Sequence, residues 1–177
     1  MKRLYILMLL FLVTVVLSVS CEDKEEASVI GMTGPGGGII FYDAGSEQTS
    51  SYTDKDGNEI EYKWRYLEAA PEDLDSSYSY ADAIEECGKY STKDGKCDDW
   101  FLPSAFELNE IYNNLANSGF GGFQDREYYW SRDRSPKNSD TKAQAIKFNI
   151  GYKAASLSKL DQSTLCHVRP IRAVLSL

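Results

Sequence analysis

Asp98-Asp99-Trp100-Phe101-Leu102-Pro103-Ser104, followed shortly by Glu107-Leu108, is the stretch on which the fold turns. Ser104 and Glu107 stand at capping-box spacing, in which the serine hydroxyl accepts from the third residue's amide and that residue's carboxylate reaches back to the serine N–H. Pro103 stands just ahead of the cap. Leu108, Ile111, Tyr112 and Leu115 then recur at i, i+3, i+4 and i+7, so one face of the helix is apolar, and Gly119 marks where it must have stopped. Trp100 and Leu102 place a large apolar load immediately before the helix start. That load has to be buried, so the segment locks the helix onto a sheet and reads as a core motif, not a catalytic one.

Working outward, Ser79 and Asp82 repeat the capping spacing ahead of Tyr80, Ala83, Ile84 and Cys87, which share a face and predict a first helix over 79–90. Upstream, the glycine-rich loop at 31–38 leads into Ile39-Ile40-Phe41-Tyr42, a strand by its β-branched and aromatic content. The loop lacks the Gly-Lys-Ser/Thr of a phosphate loop and runs into a strand instead of a helix, so it reads as backbone punctuation. Residues 46–62 are polar and lie between that strand and a second one at 64–69, as a hairpin or an excursion. Asp54 and Asp56 within it read as a turn, because Gly57 falls at the fourth place of a would-be calcium loop, where the sixth is required. Downstream the period becomes two: Ile146, Phe148 and Ile150 alternate with polar residues, Gly151 suggests a turn, and 154–157 returns. A last strand at 165–174 contains Pro170, which places it at an edge or a bulge. Two strands, two helices and then further strands, with no βαβ repetition, give an α+β class with a largely antiparallel sheet.

The opening of the chain specifies an address. Lys2 and Arg3 precede an uncharged apolar run over 4–19 and then Cys21, with acidic Glu22-Asp23-Lys24-Glu25-Glu26 directly after. That is an export leader, short for a membrane span. It resembles a bacterial lipoprotein signal, with Ser18 where leucine is usual, which implies a leader over 1–20, lipid on Cys21 and an acidic tether over 21–30 carrying a domain over 31–177. The expected location is the cell envelope, lipid-anchored to a bacterial membrane at the outer membrane or cell surface. Without Lys2 and Arg3 the 19 basic residues fall to 17 against 27 acidic ones, a net charge of −10. Such a balance disfavours nucleic acid, which needs clustered Lys and Arg to displace counterions. Three cysteines follow Cys21, namely Cys87, Cys97 and Cys166, an odd number in an oxidising compartment. Arg169 and Arg172 on the last strand require a carboxylate or several carbonyls if buried, with Asp99 or Glu107 as the expected ion-pair partners.

Several motifs occur in order along the chain: Gly37-Gly38-Ile39-Ile40-Phe41-Tyr42, Trp64-Arg65-Tyr66-Leu67-Glu68-Ala69-Ala70-Pro71, the Asp99-Trp100-Phe101-Leu102-Pro103-Ser104 stretch, Gly121-Gly122-Phe123, Tyr129-Trp130-Ser131 and Val168-Arg169-Pro170-Ile171-Arg172. On these the chain resembles the Lcl C-terminal domain family, named for the domain that closes a bacterial collagen-like adhesin. The resemblance implies a C-type-lectin-like fold, with two helices flanking a twisted antiparallel sheet and a loop-rich face. It also implies a disulfide from the first helix to the last strand, here Cys87 with Cys166, while Cys87–Cys97 and Cys97–Cys166 remain the alternatives. The proline-centred and Trp-Asn-Asp motifs of calcium-dependent sugar binding are missing, so no metal site is carried over. His167 is the sole histidine and reads as packing.

The functional expectation is a non-catalytic binding or adhesion module without cofactor, metal or catalytic residue, held at the membrane by its N-terminal lipid. Its ligand is expected among host matrix, glycans and envelope proteins. Trp130, Arg132, Asp133, Arg134, Asn149, Tyr152 and Lys153 mix aromatic anchors with polar groups and form the expected ligand face. A structural envelope protein without a soluble ligand is the alternative.

Overall fold

Both helices begin where their serines dictate. The computed structural model describes residues 27–54, 56–92, 97–134 and 141–177, so Cys21, the leader and most of the acidic tether lie outside the described residues. Helix α1 spans Tyr80–Lys89 and helix α2 spans Ala105–Asn114. At α2 the box is complete: Ser104 N donates to Glu107 Oε2 at 2.6 Å and Glu107 N donates to Ser104 Oγ at 3.2 Å. At α1 it is only half formed, since Ser79 Oγ accepts from Asp82 N but donates its own proton to the Asp82 carboxylate at 2.6 Å. After α2 the chain tightens into a 3₁₀ turn over Ala116–Ser118, and Gly119 leaves it with φ 77°, a left-handed conformation that suits glycine.

Among the described residues six strands form two small antiparallel sheets, giving an α+β architecture. Strands β1 (Ile39–Thr53), β2 (Glu59–Ala69) and β6 (Ile171–Val174) form the first in the order β1-β2-β6; β3 (Tyr128–Arg134), β4 (Lys142–Lys147) and β5 (Ser156–Asp161) form the second in the order β3-β4-β5. The polar residues 46–62 are the outer part of a long β1–β2 hairpin, with Ser50 opposite Tyr62 and Tyr52 opposite Ile60. What holds so polar a segment in strand form is aromatic contact: Tyr52 stacks on Phe101 at 4.7 Å and Tyr62 lies 5.2 Å from the same ring. Asp54 closes the tip, its Oδ1 accepting from Asp56 N and Asn58 N at 2.9 and 2.8 Å. The carboxylate is thus engaged in an Asx-type turn.

The expected last strand is shorter than its apolar run. Residues 165–168 make only isolated bridges, Cys166 to Tyr78 and His167 to Tyr129, and the paired strand begins at Ile171, just past Pro170. Proline has no N–H for a ladder, so pairing restarts after it. Its carbonyl still accepts from Ala70 N at 2.8 Å.

The opening stretch joins two cores. Phe101 belongs to the larger one, between α2 and both sheets, with Phe41, Leu67, Leu108, Ile111, Tyr112, Leu115, Tyr129, Phe148 and Ile171. Its neighbour Leu102 belongs to the smaller one beneath α1, with Tyr80, Ala83, Trp130 and Val168. Cys87 and Cys166 share that smaller core, and the expected Cys87–Cys166 disulfide is not formed in this structure, where all three described cysteines are unbridged. They pack as small apolar side chains, and burial pushes the Cys87 thiol well up and the Cys166 thiol up to about 12. Among the described residues no helix is long and apolar enough to cross a membrane.

Candidate functional site

Arg169 is a charged side chain with no exposed surface. Its Nε donates to Asp73 Oδ1 at 2.6 Å, one terminal nitrogen to the carbonyls of Ala70 and Pro71 at 3.0 and 3.4 Å, and the other to Gly121 O at 2.8 Å. The planar guanidinium also lies 3.9 Å over the Phe123 ring. One side chain thereby ties three separate chain segments together, a task suited to its rigid fork of donors. Asp73 accepts a further bond from Tyr129 O–H at 2.8 Å, and Tyr129 Oη in turn accepts from Gln124 N at 2.8 Å. Burial first, then the Asp73 charge, pushes the Tyr129 phenol far up, so it stays a proton donor. His167 stands beside this group, its Nδ1 3.8 Å from Asp73 and its ring 5.5 Å from that of Tyr129.

The second cluster forms around Glu68, also fully buried. Its carboxylate accepts from Gly38 N at 2.6 Å, from Gly36 N at 3.1 Å and from Arg172 at 3.2 Å. Arg172 turns its remaining fork outward to Asp99, at 2.8 and 2.9 Å. The glycines here serve close approach: a Cβ on Gly34 would lie 2.5 Å from the Glu68 carboxyl carbon, and one on Gly38 would lie 2.1 Å from Ala69 O. The glycine loop therefore wraps a buried carboxylate with its backbone amides, and no larger residue fits.

Between these clusters runs a two-lobed cleft. The larger lobe, about 750 Å³, is lined by Gly34, Pro35, Gly36 and Gly37 on one wall, Tyr90, Ser91 and Thr92 on another, and Pro71, Glu72 and Asp73 on a third. The smaller, about 490 Å³, shares that third wall and is completed by Gly121, Gly122 and Gln124. Tyr90 caps the end of α1 and sets its ring edge-on to Trp100 at 5.1 Å. Burial pushes its phenol up, the Arg169 guanidinium opposes that, and the Glu72 and Glu68 carboxylates add to it. Three of these walls are bolted down: the shared wall by Arg169, the glycine wall by Glu68 and the Gly121 wall by Arg169. Asp73, Glu68 and both guanidinium groups are committed to protein partners, which leaves exposed Glu72, the Tyr90 ring and loop backbone to meet a ligand. Such a surface offers a bound molecule an aromatic face, a carboxylate and backbone polar groups.

The expected site residues are placed differently from one another. Asp99 pairs with Arg172 as expected, but Arg169 takes Asp73, and Glu107 instead holds Arg132, with Oε1 at 3.1 Å from its guanidinium. Trp100, Leu102 and Pro103 are buried. The seven residues of the expected ligand face do not form one surface. Trp130 is fully buried, donating to Tyr78 O at 2.9 Å; Arg132 is turned in on Glu107 and Leu102 O; and Asp133 accepts from Ala105 N at 2.8 Å at the start of α2. The cause is that β3 has helix packed against it, so its side chains serve α1 and α2. Asn149 is half-buried, its carbonyl accepting from Tyr112 O–H, while Arg134, Tyr152 and Lys153 are exposed.

Sequence reasoning did not reach Glu68, Glu72, Asp73 and Tyr90 as site residues. Two signals were present: a carboxylate within the apolar run Leu67-Glu68-Ala69-Ala70, and the glycine cluster Gly34-Pro35-Gly36-Gly37-Gly38 ahead of the first strand. Nothing in spacing or composition marks Glu72 and Asp73, which acquire meaning only when Arg169 arrives from the other end of the chain. Compared with protein-family models and with curated proteins, the sequence finds no match.

Proposed function

We propose that the chain is a lipid-anchored, extracytoplasmic binding module of a bacterial envelope, non-catalytic, whose domain has a C-type-lectin-like fold related to the Lcl C-terminal domain family. The leader and Cys21 support the address, and the ordered motifs from Gly37 to Arg172 support the fold relationship. The observation that carries the binding reading is the two-lobed cleft: loop walls, held in fixed positions by Arg169 and by Glu68 with Arg172. Rigidly mounted loops are where folds place recognition, because pre-ordering removes part of the entropy cost of binding. Adhesion to host matrix, glycan or envelope protein follows if the ligand is displayed on a surface.

The test is a binding screen of the mature chain against glycans, matrix proteins and envelope proteins, with and without calcium. A hit whose affinity falls about tenfold in Glu72→Ala or Tyr90→Ala, and stays unchanged in Lys153→Ala, places binding in the cleft. A hit insensitive to both cleft substitutions would place it elsewhere.

A further inference from the structure

The domain leaves its N-terminal tether among exposed apolar side chains. Val29 and Ile30 pack over Ile40, Tyr66 and Val174 on the first sheet, so residues next to Val174 border the point where the chain emerges. Gly31 donates to Ile40 O at 2.8 Å, fixing the segment, and the Phe120 ring lies 3.5 Å from where a Cβ on Gly31 would stand. Asn117 ties the Phe120 turn to Tyr152, its Oδ1 accepting from Gly151 N at 3.0 Å and its Nδ2 donating to Tyr152 O at 3.3 Å. Met32, Phe120, Tyr152, Leu175 and Leu177 are all large, apolar or aromatic, and between 48% and 67% exposed. None belongs to the cores, and none lines the cleft.

We infer that this rim is a membrane-contacting surface, seated on the bilayer that carries the lipid of Cys21; the inference rests on the lipidation reading proposed above. The length of the tether selects the occupant. Cys21 and Val29 are eight residues apart, a span of at most about 28 Å at ~3.5 Å per residue. A domain of this size is roughly 40 Å across, so a lipid on Cys21 holds the exit pole, not the opposite one, within reach of the membrane. The tip of the β1–β2 hairpin lies away from the exit: Ile60 is six residues along β2 from Tyr66, on which Val29 and Ile30 pack, roughly 20 Å at ~3.3 Å per residue. The contact is apolar in nature. With a net charge of −10 once Lys2 and Arg3 leave with the leader (17 basic against 27 acidic residues), the chain gains nothing from an anionic surface, whereas aromatic and aliphatic side chains partition into the headgroup boundary of a neutral one. The lipid on Cys21 holds the chain at the surface, and an apolar rim adds a second contact that fixes how the domain is oriented on it.

The experiment uses the full lipidated chain, in a Cys97→Ser background, floated on phosphatidylcholine vesicles and spin-labelled at Phe120→Cys or at Ile60→Cys. The expected result is that the label at 120 is more accessible to oxygen than to a water-soluble nickel chelate, by a ratio about threefold above that at 60. Equal, water-like ratios at both positions in a chain that does float would overturn the membrane-contact surface and leave lipidation standing. A chain that fails to float, with an unmodified N-terminal peptide by mass spectrometry, would overturn the lipidation reading and this inference with it.

Discussion

Arg169 and Arg172 stand three residues apart at the end of the chain, and the molecule uses them in opposite ways. Arg169 is fully enclosed and faces a single carboxylate, Asp73, with its other donors on the carbonyls of Ala70, Pro71 and Gly121. Arg172 bridges inside and outside, with Glu68 fully buried on one side and Asp99, 53% exposed, on the other. The difference shows what each fixes. Removing Arg169 releases backbone in two loops, whereas removing Arg172 leaves Glu68 still held by two glycine amides.

The comparison can be broken most directly at Arg169. Arg169→Met leaves the half-buried Asp73 beside no guanidinium and three carbonyls without their donor, so a loss of about 3–5 kcal/mol is expected. Urea unfolding reads it as a fall in midpoint at unchanged slope. A variant as stable as the parent would remove Arg169 as a keystone. Arg172→Met is expected to cost less, about 2 kcal/mol, because Glu68 keeps Gly36 N and Gly38 N. Asp99→Asn should cost less than about 1 kcal/mol, since water already screens that carboxylate. If Asp99→Asn proved as costly as Arg172→Met, the outer pair, not the buried one, would be holding the loop.

The smallest effect sharpens the contrast with an ion pair outside both clusters. The Arg65 hydrogen bond at 3.0 Å holds the Asp43 carboxyl below its ordinary value of 3.8, opposed by burial and assisted by Gly45 N–H. A depressed carboxyl contributes stability that is present above its unfolded pKa and is lost as pH falls through the folded one. Asp43→Asn should therefore be less stable than the parent by less than about 1 kcal/mol at neutral pH, with the gap closing below about pH 4. Acid titration of both proteins under equal urea checks this; a gap that persists unchanged at pH 2 would assign it to something other than the charge.

How far the sequence reached follows from which contacts are local. The helix limits were readable because Ser79, Ser104 and Gly119 act on neighbours within four residues, and the β4–β5 turn was readable from Gly151 and strict alternation. The long β1–β2 hairpin was only half legible, since the polar residues of its outer part are held by Phe101 from a distant segment. The cleft was the least legible. Arg169 meets Asp73 across 96 residues and Arg172 meets Glu68 across 104, and neither carboxylate carries a local mark that names its partner. Trp130 shows the reverse error: an aromatic beside charged Arg132 and Asp133 looks like a recognition patch until two helices are placed against its strand.

Amide hydrogen exchange of the protein and its Arg169→Lys variant tests most directly whether one guanidinium holds both the 70–74 and the 121–124 wall of the cleft. The lysine keeps the charge and loses the fork. The account predicts that residues 70–74 and 121–124 lose protection together, by about tenfold or more, while the amides of α2 keep theirs. Unchanged protection in both segments, or loss in only one of them, would contradict it.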